Sequence, residues 1–375
     1  MTGRSEPVLF VDDEAVWRGG QDSLRDLMMG LAGQGIAPVL AARAGGELAD
    51  RVVRETDWPV HGWRAASEFS PVAIAFFRKL MRRYRPRIVC YNTPRPIISG
   101  LLGARWAGVT AIHLYTRRVD FPLGRNVFSR WKYHRGIDCF VAISTAIARR
   151  LADYGIAPQR IFVVHPGIGL PEFDAVAPAR DNLPPRKGLV FFCMSALTPE
   201  KGHHVLLAAF AQHLRRYDSS ALWLAGDGRC EVELRQLAAS LDISPAVHFL
   251  GFRPDVLGVL KAADALVMPS LDEGFGRAVL YAMAAGKAVL ASRVGGLPDQ
   301  VSDRENGLLV PPGDADALAG GLDCLAAHPE LVAAMGQAGR RRVAASFTRE
   351  CTAEKYIRIF RQVFQESGTS GTDDG

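Results

Sequence analysis

No stretch of this sequence approaches the roughly 20 consecutive apolar residues that a membrane-spanning helix needs. The amino-terminal MTGRSEPVLFVDDE turns acidic after the short apolar run PVLFV, which is too brief for a secretory h-region. These absences predict a cytoplasmic protein, with peripheral contact at the inner membrane face as the one membrane association left open. Cysteine is sparse. Cys90, Cys139, Cys193, Cys230, Cys324 and Cys351 stand apart, without the paired spacing that binds zinc or exchanges thiols, so most read as reduced core residues. The only acidic triplet of metal-binding form, Asp314 to Asp316, reads better as the start of a helix, and neither a metal nor a cofactor is expected. Disorder-prone composition is confined to the tail from Ser367 to Gly375.

What is present is ordinary for a globular enzyme: 48% hydrophobic and 22% charged residues. A length of 375 residues exceeds what one core usually serves and favours two domains. The net charge of +6 is unevenly divided. Residues 1–187 hold 27 Lys and Arg against 17 Asp and Glu, a net +10, whereas residues 188–375 hold 18 against 22, a net −4. The basic half should face something anionic, either a phosphorylated acceptor or a lipid surface. Nucleic acid is disfavoured because no aromatic-basic motif accompanies the charge.

Short apolar runs alternate with helix-length segments. PVLFV, APVLAA, RIVCYN, TAIHLY, CFVAIS and IFVVHP form one series; GLVFFCMSA, LWLAGD, VHFLGF, ALVMPS, KAVLASR and GLLVPP form another. This rhythm predicts two α/β domains, each a doubly wound parallel sheet covered on both faces. A Gly19-Gly20 break follows the first strand, with a helical pattern from Ser23 to Gln34. The Pro- and Gly-rich PGIGLPEFDAVAPARDNLPPRKG breaks both periodicities and places a boundary near residues 168–187. The expected layout is a first domain at 1–170, a linker at 171–187, a second domain at 188–348, a terminal helix at 349–366 docking back toward the first domain, and the tail 367–375.

Ligands of open parallel sheets bind beyond the carboxyl ends of the strands, so the loops there come first. WRGGQDSL sets two glycines before a helix, where free N–H groups could approach a phosphate, although a tight turn explains the pair equally well. LTPEKGHH brings Lys201 to a strand mouth, where it can neutralise a diphosphate; taken alone, an exposed lysine is usually just solvated. LAGDG supplies Gly226 and Gly228, which also suit a plain turn. His203 and His204 read as capping or surface residues, having no carboxylates at ligand spacing. MPSLDEGFGRAV is the strongest stretch. Glu273 can accept from sugar hydroxyls and Gly274 and Gly276 expose backbone N–H groups, while the plain alternative makes Asp272 an N-cap and Glu273 a first-turn acid.

Taken in order, WRGGQ, LTPEKG, LAGDG, FLGFRPDV, MPSLDEGFG, AMAAGKAVLAS, VGGLPD and NGLLVPPGDADALA resemble family 4 glycosyltransferases of the GT-B type. The likeness spans nearly the whole chain and is strongest from Val190 to Arg342. It implies two Rossmann-like doubly wound domains facing each other across a cleft, and a retaining transfer from a nucleotide-sugar in cell-surface glycan or glycolipid synthesis. By that likeness Gly19 and Gly20 abut the donor phosphate and acceptor, and Lys201 holds the diphosphate. Glu273 binds the transferred sugar, and Phe275 and Gly276 offer N–H groups. The base lies near Phe252 and Arg253, Gly226 lies beside the donor, and Gly295 and Gly296 keep the backbone near it.

Two positions depart from the family pattern. Tyr281 stands where a second glutamate usually grips the ribose, and Ala196 where an arginine often assists the lysine, a role Arg277 could take. In the first domain HLYTRRVDFP resembles an acceptor-side segment. His113, read as ending a strand, is the candidate cleft histidine, with Arg117, Arg118 and Asp120 beside it; taken alone, a strand histidine is more often a satisfied core residue. Two alternatives remain: a degenerate GT-B protein that binds nucleotide-sugar without transfer, and a nucleotide-sugar epimerase. PVAIAFFRKLMRRYRPR could lie on anionic lipid through an apolar face flanked by Arg78, Lys79, Arg82 and Arg83, but a core-packed helix with a solvated basic face is favoured. The partners expected are therefore a nucleotide-sugar donor and a glycan or lipid-linked acceptor.

Overall fold

A computed structural model describes residues 7–64, 67–118, 123–124, 126–179, 181–186 and 188–369. The chain forms two compact units, residues 1–168 with 348–375 and residues 169–347, so it passes between them twice.

The first unit is built on a seven-stranded parallel sheet: β1 (Pro7–Val11), β2 (Ala37–Arg43), β3 (Val60–Trp63), β4 (Ile88–Tyr91), β5 (Ile112–Arg117), β6 (Cys139–Ala142) and β7 (Ile161–Val163), in the order β3-β2-β1-β4-β5-β6-β7. The second holds β8 (Val190–Met194), β9 (Ala221–Ala225), β10 (Val247–Gly251), β11 (Ala265–Met268), β12 (Ala288–Ser292) and β13 (Leu308–Val310), in the order β10-β9-β8-β11-β12-β13. Central strands such as ALWLA and ALVM are buried from end to end because helices cover both faces, which explains their unbroken apolar sequence. Each sheet reverses its order once, between β1 and β4 and between β8 and β11. A doubly wound sheet opens a crevice at such a reversal.

Several boundaries differ from the sequence reading. The first helix begins at Gly19, four residues before the periodic pattern, so both glycines occupy its first turn. There the N–H groups have no intrahelical partners to lose, and Ser23 Oγ donates back to the Gly19 carbonyl at 2.7 Å. The segment read as a linker belongs to the second unit. Its Pro- and Gly-rich sequence breaks regular structure, but Leu170–Ala175 is helical and Phe173 is buried. The Lys261 ammonium donates to the Phe173 carbonyl at 2.6 Å, and Ala179 N–H donates to the Gly258 carbonyl at 2.9 Å.

Helix Arg349–Thr369 packs into the core of the first unit through Ala353, Tyr356, Ile359, Phe360 and Val363, running three residues into the stretch read as a tail. Gly30 makes this possible, since a Cβ there would lie 2.6 Å from the Arg349 carbonyl oxygen. The basic helix Pro71–Tyr84 buries Ala73, Ile74, Phe77, Leu80 and Met81, leaving Arg78, Lys79, Arg82 and Arg83 exposed. Its apolar face is committed to the core, so the reading of that face as a lipid-binding surface does not hold.

Candidate functional site

The order reversal of the second sheet brings together the residues singled out after β8 and β11. Lys201 closes the turn Pro199–Lys201 and Glu273 lies in the loop beyond β11. The Lys201 ammonium donates to Glu273 Oε2 at 2.8 Å, with both side chains mostly buried. Backbone bonds knit the two loops before any side chain meets: the N–H groups of Leu271 and Asp272 donate to the Glu200 carbonyl at 2.8 and 3.3 Å.

Two glycines make this approach possible. Gly202 has φ 68°, and a Cβ on it would fall 2.1 Å from the Pro269 carbonyl oxygen. Gly295 has φ 55°, and a Cβ there would lie 1.7 Å from the Glu273 carbonyl oxygen, which accepts from Gly296 N–H at 3.1 Å. Only hydrogen fits at either place. Gly226 and Gly228 serve similarly, their α-carbons pressed against the carbonyls of Ser195 and Leu197, so LAGDG braces the loop that carries Lys201.

The other donor-side candidates divide. Gly276 caps helix Arg277–Ala284 at φ 81°, directly after the Glu273 loop. Phe275 is buried; its ring meets Phe347 and its carbonyl accepts from Gln300 Nε2. Arg277 Nη2 donates to Tyr281 Oη at 2.6 Å, and the tyrosine ring stacks on Phe173 at 5.8 Å and 8°. Phe252 is exposed, whereas Arg253 is held by Asp255 at 2.7 Å and by the Asn182 carbonyl at 3.2 Å. Asp314 caps helix Ala315–Ala327 by accepting from Ala317 N–H at 2.9 Å, in keeping with the helix-start reading.

His203 was read as a surface or capping residue and is neither. It begins helix His203–Leu214 fully packed, with Nε2 3.2 Å from Ser195 Oγ and 3.6 Å from Cys193 Sγ. Burial, reinforced by the Lys201 ammonium, pulls its imidazole down to about 4. A neutral ring therefore stands behind Lys201 at pH 7. The His-His pair gave no sign of this, because inward and outward positions on a helix are set by its packing.

In the first unit a polar network ties the loops around the first order reversal. Buried Asp12, directly after β1, accepts from Gln21 Nε2 at 3.1 Å, from Asn92 Nδ2 beyond β4 and from Glu14 N–H at 2.9 Å. Asn92 Oδ1 accepts from Arg118 Nε beyond β5, and the Arg118 side chain runs 3.4 Å from where a Gly20 Cβ would stand. Burial pushes the Asp12 carboxyl up, opposed by these donors. The network thus anchors the Gly19-Gly20 turn. Asp12, Gln21 and Asn92 were missed; the acidic VDDE after an apolar strand was the available signal.

His113 does not end its strand. It is the second residue of β5, which runs on to Arg117, so four residues at about 3.3 Å each separate it from the carboxyl end. Its ring stacks on Tyr91, Nδ1 lies 3.0 Å from Tyr91 Oη, and burial pulls it down to about 4. It is a packed core histidine. Arg117 and Arg118 do reach the carboxyl end, Arg117 buried with Nη1 3.5 Å from Tyr115 Oη. Asp120 lies outside the described residues. Among the described residues no group of three His, Cys, Asp or Glu side chains is arranged to hold a metal, and no helix is long and apolar enough to cross a membrane.

Comparison with known proteins agrees with this geometry. Residues 178–342 match the family described as glycosyl transferases group 1, and residues 17–170 match glycosyltransferase family 4. The chain is 30% identical over 329 residues to the lipopolysaccharide core biosynthesis glycosyltransferase LpsE of Rhizobium meliloti, covering 83% of this chain and 92% of that one. It is 36% identical over 290 residues to a GDP-mannose-dependent alpha-(1-6)-phosphatidylinositol monomannoside mannosyltransferase of Mycolicibacterium smegmatis, covering 72% and 75%. In fold it is similar to a glycosyltransferase from Rickettsia africae (TM-score 0.83, 22% identity, 96% and 99% covered). It is also similar to Anabaena Alr3699/HepE in complex with UDP (TM-score 0.81, 20% identity, 95% and 99% covered).

Proposed function

The chain belongs to glycosyltransferase family 4, and from that premise we propose that it moves a sugar from a nucleotide-sugar held by its second unit to an acceptor hydroxyl, with retention of configuration. The observation that carries this reading is the Lys201–Glu273 pair at the order reversal of the second sheet. An ammonium suited to a diphosphate stands hydrogen-bonded to a carboxylate suited to sugar hydroxyls.

In the proposed reaction the bond between the anomeric carbon and the diphosphate oxygen breaks while the acceptor oxygen bonds to that carbon on the same face. The departing phosphate oxygen takes the acceptor proton. Charge builds on the leaving group, and Lys201, with the amino ends of helices His203–Leu214 and Arg277–Ala284, stabilises it without need of a metal. Glu273 orients the sugar. On this reading the Arg277–Tyr281 pair, hydrogen-bonded at 2.6 Å, stands in for the glutamate that the family pattern sets against the ribose.

The acceptor is a glycan or lipid-linked glycan of the cell surface, the class named for the relatives in lipopolysaccharide core and phosphatidylinositol mannoside synthesis. Work from the cytoplasmic side with peripheral membrane contact fits the short helix Val127–Trp131, which turns Val127, Phe128 and Trp131 outward beside exposed Arg130. A panel of nucleotide-sugars tests the reading by slow hydrolysis and by calorimetric binding. Turnover with one donor supports it. Tight binding without turnover would favour the degenerate binding protein, and an epimerised sugar would favour the epimerase.

A further inference from the structure

Gln300 is a buried amide outside every motif that marks the donor side. It closes the short helix Leu297–Gln300 beyond β12 and is 0% exposed. Its Nε2 donates to the Phe275 carbonyl in the loop beyond β11, while among the described residues its Oε1 has no hydrogen-bond partner. A buried acceptor left unpaired costs stability, and an aliphatic side chain of similar volume would avoid that cost. The backbone beneath it is braced: Asn306 Nδ2 donates to the Gln300 carbonyl at 3.1 Å, and Asn306 Oδ1 accepts from Ser302 N–H at 2.7 Å. The amide thus reaches Phe275 from a fixed base.

Its bond acts on a single peptide. The Phe275–Gly276 unit is trans and planar, so its carbonyl and its N–H point in opposite directions. With the carbonyl held by Gln300, the Gly276 N–H points away from that amide; Gly276 is buried, yet no acceptor for this N–H is found among the described residues. A peptide that precedes glycine is the easiest to turn over, because glycine accepts φ of either sign, and Gly276 stands at φ 81°. The backbone alone leaves two orientations open, and the Gln300 amide selects one. The selected N–H lies at the amino end of helix Arg277–Ala284 and beside Glu273, whose Cγ is 3.5 Å from where a Gly276 Cβ would stand.

We propose that Gln300 is a positioning residue for the donor: it turns the Phe275–Gly276 peptide so that the Gly276 N–H is presented to the diphosphate of a nucleotide-sugar, without itself touching the substrate. The role of the bound molecule rests on the transfer reading, but control of the peptide does not. A purely structural amide would hold two loops together. A positioning amide sets affinity for the diphosphate and leaves affinity for the nucleoside alone.

Phe275–Gly276 is the only Phe-Gly step in the sequence, so isotope labelling of phenylalanine carbonyl carbons and glycine nitrogens isolates this peptide in an HNCO spectrum of the full chain. UDP, GDP and ADP, each beside its nucleoside, would be titrated into the native protein and into Gln300→Met, whose unbranched side chain fills similar space without an amide. In the native protein the diphosphate that binds should shift the Phe275–Gly276 signal, and its nucleoside should leave the signal nearly in place. In Gln300→Met that diphosphate should bind at least about tenfold more weakly, as when the presented orientation falls to about a tenth of the population, with the nucleoside within about twofold. Circular dichroism and nucleoside binding show that the variant is folded. A native signal that no diphosphate moves, which needs no variant, would overturn the proposal; so would native diphosphate affinity in Gln300→Met, or an equal loss for diphosphate and nucleoside. Nucleotide-sugar turnover alongside any of those results leaves the transfer reading standing and Gln300 without its role. A peptide that responds to diphosphate and to Gln300→Met in a protein that turns over no nucleotide-sugar does the reverse.

Discussion

Lys201 Nζ and Glu273 Oε2 meet at 2.8 Å and so join two loops that leave neighbouring strands, β8 and β11, at the order reversal of the second sheet. Each group neutralises the other. In the proposed reaction a nucleotide-sugar would offer each a separate partner, diphosphate oxygens for the ammonium and sugar hydroxyls for the carboxylate.

Separate removal of the two groups should reveal this division. Lys201→Ala should lower kcat/KM about a hundredfold and weaken nucleoside diphosphate binding as well. Glu273→Gln should lower the transfer rate by a similar factor while leaving the affinity for the bare nucleoside diphosphate within about threefold, roughly the scale of one weak contact. Because the side chains touch, the double variant should lose less than the product of the single losses. Each change should also cost about 1–3 kcal/mol of stability, because the partner left behind is mostly buried and loses its hydrogen bond. Unchanged transfer in both single variants would remove the site assignment.

Gly295 offers a test of the backbone architecture. A Cβ there would stand 1.7 Å from the Glu273 carbonyl oxygen, and the residue already has positive φ. Gly295→Ala must displace the Glu273 loop, so at least a tenfold fall in turnover is expected together with about 1–3 kcal/mol of lost stability. Gly35→Ala is the control. Gly35 also has positive φ, but a Cβ there meets nothing within 4 Å, so it should lose stability without losing turnover. Equal turnover in the two variants would show that the close approach is not needed.

The strand-helix rhythm and the ordered motifs made both sheets legible, because buried parallel strands write themselves as apolar runs and their carboxyl ends collect glycine and charge. Lys201 and Glu273 could be found in this way, since each follows such a run. The misreadings share a different cause. His113 and His203 are histidines whose meaning depends on how far their strand or helix extends and which side packs inward, and a single position does not encode that. Asp12, Asn92 and Arg118 come from three separate strand ends, and only the sheet order β1-β4-β5 brings them together.

Tyr281 stands where the family resemblance leads one to expect a carboxylate, and its hydroxyl is bound by Arg277 at 2.6 Å above a ring stacked on Phe173. Tyr281→Phe removes only the hydroxyl and with it the hydrogen bond from Arg277. Its cost in nucleotide affinity should be about 1 kcal/mol, or roughly fivefold in Kd, if the Arg277–Tyr281 pair meets the ribose. Tyr281→Glu restores the family pattern and should bind nucleoside diphosphate at least as tightly as the native protein. Calorimetry on both variants decides the matter: Kd values all within error of the native protein would place the ribose elsewhere.

His203 ties acid sensitivity to the packing behind Lys201. Its imidazole titrates near 4 in the fold, against about 6.5 for an unperturbed histidine, chiefly because burial disfavours the charged ring. Between these values the unfolded chain holds the extra proton, so stability is complete above pH 6.5 and falls as the pH drops toward 4. His113, also near 4 through burial, adds to the same trend. The buried carboxyl of Asp12 acts the other way: its upward shift makes protonation favour the fold, so its contribution diminishes as pH rises through the acid range. His203→Gln should therefore flatten the loss of stability between pH 6.5 and 4 by up to about 3 kcal/mol, whatever it costs at pH 7. Urea unfolding of the native protein and the variant at pH 7, 5.5 and 4.5 gives the two slopes directly. Parallel slopes would mean that His203 is already solvated in the fold, and with that its place as the neutral ring behind Lys201 would be lost.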